Sequence, residues 1–254
     1  MIYPAAIPTV PADILIGTKT PLSLLIGEGM NVNSKIIDGV EITWLGNACF
    51  RLRGENVTIY LDPYGLPGNL PLEDMADIIL LTSEHPRSFD PDSIRIVRNS
   101  NTTTLLPENM NLQFRGDARR VEAGDYLIDD LCIKGISIEV VPSYKPGDSG
   151  PTEVGVGYVI TIGGKRIYYA GFTGLIPEMQ SISADIVMFP IGDCTMNAEQ
   201  AAEAVIMISP QIFIPVYYEC TDIPDTNRAA DIRTFRENVS RKAPHVELLF
   251  PEDL

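Results

Sequence analysis

Short apolar runs separated by Gly, Asn, Asp and Pro recur along the chain from Val40 onward. Runs at 40–45, 50–52 and 57–61 predict three strands, joined by turns at Gly46-Asn47 and Gly54-Glu55-Asn56. Asp62-Pro63 ends the third. A run at 76–81 predicts a buried strand that empties into the polar stretch Thr82-Ser83-Glu84-His85-Pro86-Arg87-Ser88-Phe89-Asp90. Catalytic groups usually sit on such loops, because the strand is rigid and the loop reaches solvent. Residues 91–98 predict a short helix with Pro91 in its first turn and Asp90 as its cap. Strands follow at 103–106, within 131–141 as one long or two short pieces, and at 156–162 and 166–170, the last two joined as a hairpin across Gly163-Gly164.

The last third alternates differently. It predicts strands at 185–190, 211–216 and 246–250, with helices at 197–208 and 226–241. In the first of these helices Ala201, Ala204, Val205 and Ile208 share a face, and Asn197 is a good cap. Two strand-rich halves of comparable length predict a duplicated layout without a visible sequence repeat. The start of the chain has another character. Pro4, Pro8, Pro11 and Pro21 prevent a long helix, and Gly17, Gly27 and Gly29 break strands. Yet Ile14-Leu15-Ile16 and the run 22–26 are apolar. Residues 1–38 read as an apolar, Pro/Gly-rich arm and residues 39–254 as one domain. The arm either packs along its own domain or covers a protein partner, such as a second copy in a homo-oligomer.

Composition narrows the class. Hydrophobic residues make up 45% and charged residues 21% of 254, an ordinary globular balance. With 34 acidic against 19 basic residues, the net charge of −15 argues against a nucleic-acid partner, whose phosphates require Lys and Arg. Arg115, Arg119 and Arg120 come nearest to a basic cluster and read as a solvated turn. No apolar run approaches the length of a membrane span, and no basic region precedes the first apolar residues. The expectation is an acidic, cytoplasmic protein with no membrane partner. Cys49, Cys132, Cys194 and Cys220 are widely spaced and form no disulfide framework.

Several motifs then occur in a telling order. They are Ile42-Thr43-Trp44-Leu45-Gly46-Asn47-Ala48-Cys49-Phe50, Ile59-Tyr60-Leu61-Asp62-Pro63, the stretch from Thr82 to Asp90, and Gly155-Val156-Gly157-Tyr158-Val159. Ile167-Tyr168-Tyr169-Ala170-Gly171-Phe172-Thr173, Phe189-Pro190-Ile191-Gly192, Met196 to Val205 and Ile214-Pro215-Val216-Tyr217-Tyr218 follow. This series resembles the metallo-β-lactamase superfamily, in its branch of metal-dependent hydrolases related to ascorbate-6-phosphate lactonases. The resemblance implies an α/β (α+β) fold, a four-layer αββα sandwich with its site at one edge between the two sheets.

The resemblance also implies where metal ligands belong. The family loop reads Thr-His-x-His-x-Asp-His, and its places here hold Ser83, His85, Arg87 and Ser88, so His85 alone is retained. Gly150 stands where a His before Pro is usual, and Phe172 where an aspartate bridges two metals. Tyr217 stands at the final His, and Asn47 where a His often follows the first Gly. Zinc needs several imidazoles or carboxylates converging at about 2.0–2.2 Å, and two ions together acidify a bridging water. Ser hydroxyls are poor substitutes, Phe172 cannot ligate, and Arg87 brings a permanent cation. The implied site is degenerate, with its dinuclear centre lost. His85 then orders the loop, Arg87 binds an anion or pairs with Asp90 or Glu84, and Phe172 and Tyr217 fill the vacated volume. Asp62 reads as a loop anchor and His245 as a surface residue.

On this reading the protein is a pseudoenzyme, a non-catalytic subunit or a small-ligand-binding protein, with no metal or cofactor expected. The alternative is a zinc or manganese hydrolase-like enzyme with a rebuilt site. There His85 works with Cys194, or with Cys49 or Cys220, as a nucleophilic dyad or as ligands of one metal. Small buried cysteines without such a role are the commoner case. Deleting residues 1–38 changes the mass in solution if the arm reaches a neighbour and leaves it unchanged if the arm packs on its own domain. Light scattering of the two forms checks this.

Overall fold

The strand-length apolar runs assemble into two seven-stranded sheets. The computed structural model describes residues 33–68, 72–86, 88–113, 116–192, 195–217 and 228–254. The first sheet contains β1 (Asn33–Ile37), β2 (Val40–Gly46), β3 (Cys49–Gly54), β4 (Val57–Leu61), β5 (Ile78–Leu80), β6 (Thr103–Pro107) and β7 (Ala118–Val121), in that order across the sheet. Helix α1 (Pro91–Val97) joins β5 to β6. The second sheet contains β8 (Tyr126–Leu127), β9 (Ser137–Lys145), β10 (Thr152–Ile162), β11 (Lys165–Tyr169), β12 (Ile186–Pro190), β13 (Ile212–Val216) and β14 (Glu247–Leu248). Helices α2 (Ala198–Ile208) and α3 (Arg228–Lys242) make its crossovers.

The duplicated layout is present in topology. In each sheet the first four strands pair antiparallel, and the pairs after them are parallel. Short turns suffice for the antiparallel half, whereas parallel strands need crossovers. The helices lie on the outer faces, where they cover the parallel half. This explains why β4 and β12 are buried at every position rather than alternating.

Three apolar clusters define the four layers. Between the sheets, Ile42, Trp44, Phe50, Leu52, Ile59 and Leu61 face Ile138, Val140, Tyr158, Ile160, Ile167 and Met188. Outside the first sheet, Ile94 and Val97 of α1 pack with Tyr60, Ile79 and Leu81. Outside the second, Ala201, Ala204 and Val205 of α2 and Phe235 and Val239 of α3 pack with Val187, Phe189 and Phe213. The expected αββα sandwich is therefore the fold that forms. Both predicted caps are made: Asp90 accepts from the Asp92 N–H, and Asn197 forms a capping box with Gln200.

Some elements differ from expectation. β1 lies inside the stretch assigned to the arm, so the sheet begins at Asn33; its half-exposed, mixed sequence gave little pattern. Residues 1–32 lie outside the described residues, and a truncation that spares β1 should stop at residue 32. Arg119 and Arg120 belong to strand β7, not to a solvated turn. A charged edge strand is how a sheet discourages further pairing, and Arg120 donates to the carbonyls of Glu108, Met110 and Leu112. Residues 129–136 form a 3-10 turn and a tight Ile133–Ile136 bridge, so β9 starts only at Ser137. Among the described residues no helix is long and apolar enough to cross a membrane.

The sheets meet most closely at Thr82, directly after β5. The Val156 N–H donates to the Thr82 carbonyl at 2.9 Å, and the Tyr158 hydroxyl donates to the Leu81 carbonyl at 2.7 Å. A Cβ on Gly155 would lie 2.3 Å from the Thr82 oxygen, and one on Gly171 2.6 Å from the Thr82 side chain. Gly155→Ala should therefore destabilise the fold by about 3 kcal/mol, because the intruding atom meets backbone rather than a movable side chain. Urea unfolding of the variant beside the parent protein measures the difference.

Candidate functional site

The strand ends that converge near Thr82 carry the family site positions. The buried carboxyl of Asp62, just past β4, accepts from the Thr82 N–H at 2.8 Å and the Thr82 hydroxyl at 2.6 Å. The Tyr169 hydroxyl, from the end of β11 in the other sheet, lies 2.9 Å from Asp62 Oδ2 and 2.9 Å from the Ala48 carbonyl. Burial pushes the Asp62 carboxyl up to about 7, against the pull of these donors. A phenol has one proton. When Asp62 is protonated it can donate to Tyr169, leaving the phenol proton for Ala48. Asp62 is thus the loop anchor that its position suggests.

Beyond this anchor the Ser83–Ser88 loop curls on itself. Ser83 Oγ accepts from the His85 N–H at 3.2 Å and lies 3.3 Å from Ser88 Oγ. The His85 carbonyl accepts from the Ser88 and Phe89 N–H groups. The His85 ring stacks on Phe172 with centroids 3.9 Å apart and 14° between planes. Phe172 in turn meets the edge of Tyr217 at 5.5 Å. Phe172 and Tyr217 are buried in the cluster between the sheets. Three family positions, His85, Phe172 and Tyr217, thereby form one aromatic series, with Ser83 and Ser88 beneath His85.

The other predicted residues are placed differently. Asn47 sits in the β2–β3 turn, its carbonyl accepting from the Trp44 indole. Gly150 closes the turn between β9 and β10, its N–H donating to Gly147. Cys49 does not join His85. Its side chain lies in the outer cluster with Tyr60 and Ile79, and burial pushes the thiol up to about 12, so it is no nucleophile or ligand there. Arg87, Cys194 and Cys220 lie outside the described residues. Of the two acids named as partners of Arg87, Glu84 accepts from the Asn111 N–H, and Asp90 accepts from the Ser93 hydroxyl and from the N–H groups of Gly65 and Asp92. His245 is at the surface, 2.8 Å from the Ser209 hydroxyl.

A hollow of about 200 Å³ opens beside His85. Ser83, Glu84 and His85 form one wall, Asn109 and Met110 another, and Glu153 and Val154 of β10 a third. The Asn109 amide donates to the Val154 carbonyl at 2.8 Å, bridging the sheets across it. Four non-glycine residues around this edge, Asn47, Asp62, Glu153 and Tyr217, have positive φ values of 52°, 40°, 52° and 57°. Asp38, Glu55, Asn56, Asp129, Lys134 and Ser209 elsewhere in the fold share this conformation, so by itself it marks turns and not a site. Asn109 and Glu153 carry no motif, and only the meeting of hairpin and loop brings them here.

A model of the β-lactamase superfamily domain matches residues 41–217. A UPF0173 metal-dependent hydrolase of Methanoculleus marisnigri is 30% identical over 71% of this chain and 81% of its own length. The chain belongs to this superfamily, in the UPF0173 family. Another member, from Pelotomaculum thermopropionicum, is 32% identical and covers 70% and 84%. A solved structure from Parabacteroides distasonis, provisionally named a metal-dependent hydrolase, is 28% identical with a TM-score of 0.69, over 87% of this chain and 98% of its own.

These relatives overturn two expectations. A non-catalytic subunit or ligand-binding protein, and a protein that needs no cofactor, are both contradicted by relatives named metal-dependent hydrolases. Those expectations counted ligands at the family's motif positions, and a rebuilt donor set cannot be counted that way. Among the described residues, no group of three or more His, Cys, Asp or Glu comes together to hold a metal ion. The described residues alone therefore do not fit a metal.

The Asp62 anchor has a pH signature. Below about pH 4 the carboxyl is neutral in both folded and unfolded chains. Between 3.8 and about 7 the unfolded chain ionises while the folded one stays neutral, so the stability contribution is lost as pH rises through that window. The loss amounts to roughly 4 kcal/mol at most. Asp62→Asn should abolish this part of the slope, and urea unfolding of both proteins from pH 4 to 8 reads the difference.

Proposed function

We propose that this chain is a metal-dependent hydrolase whose site is rebuilt around His85. The observation that carries the reading is the superfamily match over residues 41–217, with relatives named metal-dependent hydrolases. The hollow beside His85 supports the same edge as the site. The sequence resemblance to ascorbate-6-phosphate lactonases extends the proposal to lactones and related esters as substrates.

Zinc or manganese is the cofactor on this reading. His85 supplies one imidazole. No further set of donors gathers among the described residues, and the sequence candidates Cys194 and Cys220 lie outside them. The chain's own part is clearer for positioning. Phe172 holds the imidazole plane by stacking, and Ser83 holds its backbone. Asp62 and Tyr169 fix the loop's origin at Thr82. The hollow that His85 lines would take the substrate.

Protein purified without added metal should contain stoichiometric zinc or manganese by elemental analysis. It should hydrolyse at least one of a panel of lactones, carboxylic esters and phosphodiesters. His85→Ala should lower kcat/KM by more than about 100-fold, since even outer-shell partners of a metal are worth 10–100-fold. The reading fails if the protein is metal-free and inert, or if His85→Ala and Cys194→Ala both leave the activity untouched.

A further inference from the structure

We propose that this chain assembles with a second copy of itself, through an acidic and partly apolar knuckle at residues 122–131 that docks on the basic outer face of α3 in the other copy. The inference is independent of the hydrolase reading and of the N-terminal arm.

The knuckle leaves the first sheet after β7 and enters the second at β8. β8 ends its sheet and is two residues long, so little covers the side chains around it. Tyr126, Ile128 and Leu131 are 59%, 38% and 64% exposed. Single exposed apolar residues are ordinary, but three within six positions make a contact surface. Glu122, Asp129 and Asp130 are exposed beside them, and Asp125 accepts from the Glu122 N–H at 2.9 Å in the turn. Lys134 is the one base in the stretch 122–134.

α3 has the opposite character. Arg228, Arg233, Arg236, Arg241 and Lys242 stand against Asp231 and Glu237 in its 15 residues, within a chain of net charge −15. Phe235 and Val239 turn into the core, while Arg233, Arg236, Arg241 and Lys242 are exposed. The Arg236 guanidinium lies 3.7 Å over the Phe250 ring, which holds it against the surface. Other surface charges pair within the molecule, as in Lys165–Asp38, Arg166–Glu139 and Arg95–Asp92. Among the described residues, none of the ion pairs uses these four bases of α3 or the acids of the knuckle.

The two patches cannot satisfy each other within one molecule. α3 leads into β14, which ends the second sheet on the side away from β8. A seven-stranded sheet sets its end strands about 30 Å apart. Nor does either patch fit its own image, because like charges would meet. The knuckle of one copy on α3 of another satisfies both: Arg and Lys stems cover Tyr126 and Leu131 while their head groups meet carboxylates. Two copies lying antiparallel make this contact twice, and copies following head to tail make a ring. At physiological salt the overall negative charge is screened beyond about 8 Å, whereas the patches meet at closer range.

Sedimentation equilibrium of the full-length protein at physiological salt reads the assembly. The parent protein should have a mass that is a multiple of 27.9 kDa. Arg233→Glu combined with Arg241→Glu should weaken self-association by more than about tenfold, and so should Glu122→Lys combined with Asp130→Lys. An equimolar mixture of the two double variants sets an acidic α3 against a basic knuckle and should regain the assembled mass. All four positions are exposed, so thermal melts should match the parent and establish that both variants are folded. A monomeric parent, a reversed variant that keeps the parent's mass, or a mixture that stays monomeric overturns the proposal. Assembly that survives both reversals and is lost on deleting residues 1–32 also overturns it and puts the contact on the arm.

Discussion

The structure depends on one buried carboxyl. Asp62 has no solvent to share its charge, so everything it touches must satisfy it. Its partners come from three places: the Thr82 backbone and hydroxyl after β5, Tyr169 at the end of β11, and through that phenol the Ala48 carbonyl of the β2–β3 turn. The two sheets are thereby joined at one edge by hydrogen bonds as well as by apolar packing. Gly155 and Gly171 permit it, because any side chain there would drive Thr82 away from Asp62. The loop that carries His85 consequently starts from a point with almost no freedom.

That rigidity gives meaning to an otherwise plain set of side chains. His85 is held by a stacked Phe172 and by a serine beneath its backbone. Tyr217 supports Phe172 from the side while itself in an unfavourable backbone region for an aromatic residue. Where the motif pattern suggested a site emptied of chemistry, the geometry shows an imidazole stacked on Phe172 at the wall of a hollow. Relatives named metal-dependent hydrolases stand against a non-catalytic reading of the chain.

Much of the fold was legible in the sequence, for physical reasons. The strands of both parallel halves are apolar at nearly every position because helices cover them, and such runs stand out. The antiparallel hairpins announce themselves through Gly-Gly and Gly-Asn turns. The Asp90 and Asn197 caps read correctly because a cap is a local hydrogen bond. The edge strands did not read. β1 and β7 pair on one side only, so their sequences answer to solubility as much as to burial.

By itself, the sequence determined the element order, the sandwich and the identity of the loop that bears His85, since all of these follow from local pattern and motif. It also marked Asp62 as an anchor. Only the tertiary structure decided which side chains share a space. Cys49 is adjacent to a site loop in sequence, yet the pleat turns it to the outer face and buries its thiol. Glu153 carries no motif, yet hairpin pairing and a shift in register bring it to the wall of the hollow that His85 lines. A site of this kind is set by distances between segments far apart in the chain, and no local pattern encodes such distances.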